Sequence, residues 1–281
     1  MNFRKVEAPP LMDYIERLEK LDNAARRQAI ISILQEMGIT PEIQKCGWLR
    51  VKNLVVDFSP ERTASLLFTA HYDSVAGSPG ANDNASGVSV LLGLCRELKN
   101  QAVPVRIVFF DREEAWFRTP IVRFGLLGSI CYVCKVELRK EAEIYNLEFC
   151  GQGDVLAIWP VKKSDASSKT ITNIEEAGRR VSIPLVRGYV PGFLMSSDHL
   201  PFRVKGIDAV TMSMLPGDKI PELEIVLNAK NCGAFLRLRK KIPAPLSTRH
   251  TAEDTSRNLD EKALQSMLGL TLEVIRGHYF R

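Results

Sequence analysis

No stretch of the 281 residues is apolar over the length a membrane span requires. The N-terminal Met1-Asn2-Phe3-Arg4-Lys5-Val6-Glu7 also lacks an apolar core of signal-peptide length, which favours a cytoplasmic protein without a membrane partner. Internal repeats, low-complexity tracts and linkers are absent. One domain is therefore expected over residues 1–281, with residues 1–45 forming a helical region packed on it. Charge of one sign is scarce: the formal net charge is only +5. The densest basic run, Arg237-Leu238-Arg239-Lys240-Lys241, has no interleaved aromatics, which argues against a nucleic-acid partner. Six cysteines (Cys46, Cys95, Cys131, Cys134, Cys150 and Cys232) follow no framework spacing. Cys131-Tyr132-Val133-Cys134 matches C-x-x-C, but it lies in an apolar segment and no second pair exists. All six read as buried structural thiols.

The informative stretch runs from His71 to Gly87. Leu66-Leu67-Phe68-Thr69-Ala70 is an apolar run of buried-strand length, and it ends in His71-Tyr72-Asp73. Ser74 to Asn84 is a loop rich in Gly, Ser, Pro and Asn, and helical periodicity resumes over Ser86 to Lys99. A histidine and carboxylates delivered to a strand's carboxyl end, where ligands collect in α/β sheets, look like metal ligands.

The rest of the chain repeats this layout. Residues Pro10 to Gly38 read as an amphipathic helical region broken near Leu21-Asp22-Asn23, and Leu49 to Phe58 as a strand. Val105 to Phe110 is a strand ending in Asp111-Arg112-Glu113-Glu114. Gly125 to Arg139 reads as a helix, Ala142 to Phe149 as a strand carrying Glu148, and Val155 to Trp159 as another strand. A helix over Thr170 to Val181, a polar turn over Ser196 to Phe202 and a strand over Ile207 to Met214 follow. Pro216 to Ser247, which also contains Pro221, Pro243 and Pro245, reads as an extended loop, and a last helix runs from Asn258 to Ile275. Alternating strands and helices predict a three-layer α/β/α sandwich on a mixed, mostly parallel sheet.

Four places now present ligand-type residues after predicted strands or in acid-rich loops: His71 with Asp83, Glu113-Glu114, Glu148, and His250. The chain has only four histidines, and three of them (His71, His199 and His250) fall in such loops. Imidazole and carboxylate ligands without cysteine suit zinc, manganese or cobalt in an open catalytic site. Two histidines and three carboxylates exceed what one tetrahedral ion with a free position takes. They suffice for two ions about 3.5–4 Å apart sharing a carboxylate.

These residues resemble the co-catalytic zinc exopeptidases of the aminopeptidase S/Y type, whose relatives include the glutaminyl cyclases. The matching blocks are His71-x-Asp73, Gly80-Ala81-Asn82-Asp83-Asn84-Ala85-Ser86-Gly87, Phe110-Asp111-x-Glu113-Glu114, Asn146-Leu147-Glu148, Ser197-Asp198-His199-x-Pro201-Phe202 and His250-Thr251-x-x-Asp254-Thr255. The resemblance implies a peptide substrate and two Zn(2+) ions bridged by Asp83. His71 and Glu148 would complete one ion, Glu114 and His250 the other, with Glu113 as general base. Asp73 would accept a hydrogen bond from the second nitrogen of His71. Asp198 and His199 would lie near the active site, either touching substrate or forming a structural pair.

Some positions depart from the family pattern. Glu148 occupies a position that is usually aspartate, and Arg112 one that is commonly glycine. The segment Ala115 to Phe124 has a counterpart in glutaminyl cyclases but not in simple aminopeptidases, whereas the short loop from Asp73 to Asp83 is aminopeptidase-like. The leading expectation is a zinc aminopeptidase. The alternatives are a one-zinc, glutaminyl-cyclase-like acyltransferase and a non-catalytic binding module.

Overall fold

The computed structural model describes residues 9–47, 50–60, 64–114, 117–118, 123–136, 138, 142–159, 168–188, 197–227, 232–238 and 241–279. The chain opens with two helices, α1 (Leu11–Leu18) and α2 (Asn23–Glu36), separated where the sequence predicts a break. The Asp22 side chain accepts a hydrogen bond from Ala25 N at 2.8 Å, so this aspartate starts α2 instead of continuing α1. Strands β1 (Glu42–Cys46), β2 (Val51–Asp57) and β3 (Leu66–His71) follow, then helix α3 (Ser86–Leu98) and β4 (Val105–Phe110). Next come a two-residue pair β5 (Phe117–Arg118) and β6 (Arg123–Phe124), α4 (Leu127–Lys135), β7 (Glu143–Leu147) and β8 (Val155–Trp159). The chain then forms α5 (Lys169–Arg180), β9 (Leu185–Arg187), α6 (His199–Val204) and β10 (Asp208–Leu215). It closes with α7 (Ile220–Leu227), α8 (Cys232–Leu238) and α9 (Glu261–Tyr279).

Eight strands make one sheet in the order β1-β2-β4-β3-β7-β10-β8-β9. The centre, β4-β3-β7-β10, is parallel, while β1, β2 and β8 run antiparallel to their inner neighbours. Both faces are covered, which is why β3 and β4 read as unbroken apolar runs without alternation. Leu66, Phe68 and Ala70 pack with Ile107 and Phe109 against residues of α1, α2, α3, α5 and α9. Leu67, Val108, Phe110 and Ile144 face the other way, onto Tyr132 and Val133 of α4 and Phe202 of α6. This is the expected three-layer sandwich. The N-terminal helices belong to it: Glu261 in the first turn of α9 accepts from Leu11 N and Met12 N at 2.9 and 2.8 Å, capping α1.

Two readings of the sequence need correction. Residues 216–247, expected as an extended loop, contain α7 and α8; Pro221 is the second residue of α7, where a missing N–H costs nothing. The cysteines are not all thiols: Cys46 and Cys131 form a disulfide between β1 and α4. The C-x-x-C spacing was uninformative because the partner of Cys131 lies 85 residues away, brought near by the sheet edge. Cys95 and Cys150 are buried thiols, whereas Cys134 is exposed. Short edge strands β1 and β9 and the start of α6 at His199 also escaped the periodicity reading. Of the Ala115 to Phe124 segment only the β5–β6 pairing is described, and residues 115–116, 119–122 and the N-terminal residues 1–7 lie outside the described set.

Candidate metal centre

Three parallel neighbours, β4, β3 and β7, end along one edge of the sheet and deliver Glu113 and Glu114, His71, and Glu148 there. Asp83 reaches the same place from the turn Ala81–Ala85 that leads into α3. That turn is held by groups outside the proposed ligand set. Asp254 accepts from Asn82 N at 2.7 Å and from Asp83 N at 3.2 Å. Asn84 donates to Leu147 O at 2.8 Å and accepts from Gly87 N at 3.1 Å. A Cβ on Gly87 would lie 2.5 Å from Asn84 Oδ1, so only glycine allows this approach.

Arg26 holds the preceding loop. It is buried on α2 and donates to Tyr72 O at 3.3 Å, Pro79 O at 2.6 Å and Gly80 O at 3.1 Å. Helical periodicity hides such a residue, because an arginine on α2 reads as solvent-facing. Arg26→Leu is expected to cost about 2–4 kcal/mol, since it leaves buried carbonyls without donors. A urea midpoint shift equivalent to less than about 1 kcal/mol would show that water replaces the guanidinium.

The ligand-type side chains converge. His71 Nε2 lies 3.2 Å from Asp83 Oδ1, and His250 Nε2 lies 3.3 Å from Asp83 Oδ2. The two oxygens of one carboxylate thus face two different histidines. His250 Nε2 is also 2.7 Å from Glu114 Oε1. One ligand atom each from His71, Asp83 and Glu114 lie within 4.8 Å of one another. His71 Nδ1 is nearer the backbone carbonyl of Asp73, at 3.1 Å, than its carboxylate, at 3.5 Å. The Asp73 carboxylate instead accepts from Glu113 N and Glu114 N, each at 3.0 Å. Its strongest geometric role is therefore to hold the turn that carries both glutamates.

Glu148 is buried and accepts a short hydrogen bond from Ser197 Oγ. Behind it, Asn146 donates to Ser197 Oγ at 2.7 Å and to Thr211 Oγ1 at 3.1 Å, and accepts from Thr69 Oγ1 at 2.9 Å. Thr211 Oγ1 pairs with His199 Nδ1 at 2.7 Å. His199 is thus joined to Glu148 through this buried chain. Burial, with Arg203 adding to it, lowers its pKa to about 3 and keeps the ring neutral. Asp198 is fully buried, and neither of its oxygens has a hydrogen-bond partner among the described residues. Burial pushes its carboxyl up to about 7 against the attraction of His71. Ser129, beside it, donates instead to Leu126 O at 3.2 Å. Asp254, Asn146, Ser197, Thr211 and Arg26 are supporting residues to which the sequence reading assigned no role. The polar residues Asn146 and Thr211 inside otherwise apolar strands were the available signal.

The electrostatics fit a cation. Asp73, Asp83, Glu113, Glu114 and Glu148 are all buried around two histidines. Burial opposes charge on Asp83, but hydrogen bonds from His250 and His71 hold its carboxyl far below the usual range. Burial likewise opposes protonation of His71, yet Asp73 and Asp83 raise its pKa well above the ordinary value, and Asp83 and Glu114 raise that of His250. Glu148 moves upward because burial outweighs the attraction of His71. A buried acidic excess of this kind needs positive charge, and its oxygen and imidazole donors suit zinc.

Comparison with known proteins agrees with this chemistry. The chain is 37% identical to aminopeptidase YwaD of Bacillus subtilis over 171 residues, covering 56% of this chain and 33% of that protein. A vacuolar membrane protease of Clavispora lusitaniae is 35% identical over 106 residues, covering 36% of this chain and 10% of that protein. The chain thus spans at most about a third of the length of these relatives. Its fold is similar to BSAP, a zinc aminopeptidase from Bacillus subtilis, with a TM-score of 0.60 and 26% identity, covering 81% of this chain and 50% of that one. It is also similar to the glutaminyl cyclase of Porphyromonas gingivalis, with a TM-score of 0.71, 18% identity and coverage of 96% and 97%, a likeness that concerns the fold alone. The sequence model of peptidase family M28 matches residues 53–275, which include every ligand-type residue gathered at the sheet edge, and the chain belongs to that family.

Proposed function

We propose that this protein is a zinc-dependent aminopeptidase that hydrolyses the first peptide bond of substrates with a free amino terminus. The observation that carries the reading is the placement of the two Asp83 oxygens, 3.2 and 3.3 Å from different histidines. A carboxylate so disposed can serve two ions at once. His71 and Glu148 would then hold one zinc, and Glu114 and His250 the other. When bound, zinc supplies Lewis acidity toward the scissile carbonyl and lowers the pKa of water to near neutrality.

The remaining work falls to the chain. Glu113 is adjacent to a ligand without serving as one, and it takes the proton of the attacking water and hands it to the leaving amine. Asp73 keeps it in place through the two backbone amides it accepts from. The acidic surroundings attract the substrate's α-ammonium group and so favour a free amino terminus.

The test pairs metal analysis with product analysis. Two equivalents of zinc per chain and release of chromophore from leucyl p-nitroanilide are the expected results. One zinc, with pyroglutamate formed from a glutaminyl peptide, would instead establish the cyclase reading. A protein that binds no zinc and turns over neither substrate would leave the binding-module reading.

A further inference from the structure

Beside the metal centre lies a cavity of about 840 Å³. Asp73 and Glu114 are among its lining residues, so it adjoins the metal centre. Five cations also line its wall, Arg27, Lys45, Arg50, Lys52 and Arg112, among small, apolar and polar residues. The other acid on the wall, Asp111, is buried and accepts from Lys52 N at 2.8 Å, so one of its oxygens is engaged by the backbone of β2. Lys45, Arg50 and Lys52 are exposed, and neither these nor Arg112 form an ion pair with another described residue.

Two further features hold the backbone that carries these charges in place. The hairpin bearing Lys45, Arg50 and Lys52 is tied to α4 by the Cys46–Cys131 disulfide and by Lys135 Nζ donating to Lys45 O at 2.6 Å. Arg50 and Arg112 both sit in the left-handed region, at φ 52° and 58°, where glycine or asparagine is the easier choice. The conformation of Arg112 is fixed by Leu127 N donating to Arg112 O at 2.9 Å. An arginine in a backbone conformation suited to glycine, facing a cavity next to the metal centre, points from an outlier toward function.

We infer that this cavity binds a carboxylate in the part of the peptide downstream of the scissile bond. The substrate class is thereby narrowed to peptides that present an anion there, either a nearby C-terminal carboxylate or an acidic side chain. The inference rests on the aminopeptidase reading for its orientation. The α-ammonium group is drawn to the buried acids and repelled by the basic wall, so the chain must run from the acids into the basic cavity. Guanidinium and ammonium groups along that path supply charge-assisted hydrogen bonds to carboxylates.

The test measures binding to zinc-loaded Glu113→Gln protein, using twin peptides that differ in one charge. Leu-Gly-Gly against its C-terminal amide reports the terminal carboxylate. Leu-Gly-Glu-amide against Leu-Gly-Gln-amide reports the acidic side chain. At least one anionic twin is expected to bind about tenfold or more tightly. The advantage should shrink between about 0.05 and about 0.5 M salt. It should also be lost in the exposed-residue double variant Arg50→Gln/Lys52→Gln and reduced in Arg112→Gly. Equal affinity for both pairs, or a preference that survives these changes, overturns the inference. Cleavage of leucyl p-nitroanilide, which carries no anionic group, by the wild-type holoenzyme is measured in parallel. If that substrate is inert while the anion preference persists, the peptidase reading fails and the anion site stands.

Discussion

Glu113→Gln is expected to lower turnover of a leucyl anilide by about 10²–10⁴-fold, the usual size of a general-base contribution, with zinc content unchanged. The expectation follows from the way the glutamate is held. Its amide and that of Glu114 are bound by the Asp73 carboxylate at 3.0 Å each, so the backbone does not depend on the side-chain charge. Glutamine keeps the shape and removes only the proton acceptor. Steady-state kinetics and metal analysis on the same preparation check it. If zinc is lost with the substitution, Glu113 is a ligand and the assignment of base and ligand must be exchanged.

Asp83→Asn is expected to abolish detectable turnover and to leave at most one zinc per chain. Asparagine offers one oxygen where two are needed, and its amide nitrogen would face a histidine. Metal sites of this kind depend on deprotonated ligands, so a neutral amide weakens both ions together. The fold should survive. The contacts that position this turn run through the backbone amides of residues 82 and 83 to Asp254, and through Asn84, not through the Asp83 side chain. Metal titration alongside a thermal melt separates the two effects. Retention of two zinc ions would remove Asp83 from its bridging role.

Much of the site was legible without coordinates because its ligands sit where strands end. His71 closes an apolar run, and the two glutamates follow another at a fixed offset. Glu148 is the residue after β7. The supporting residues were not legible for a different reason. Arg26 lies on a helix whose periodicity marks arginine as exposed, yet three carbonyls of a distant loop bury it. The resemblance implies that Asp73 accepts from the second nitrogen of His71, and its carboxylate lies 3.5 Å from that nitrogen. The same carboxylate also accepts from amides some 40 positions along the chain, a role that no local pattern marks.

The sequence by itself determined the alternation of strands and helices, the order of the ligand blocks and the chemistry of the donors. All of these depend on residue type and short-range spacing. Only the tertiary structure decided which oxygen of Asp83 faces which histidine, which cysteine pairs with Cys131, and that five cations share a wall beside the metal centre. Those are contacts between residues far apart in the chain. Sheet order and helix packing bring them together, and no local pattern records that arrangement.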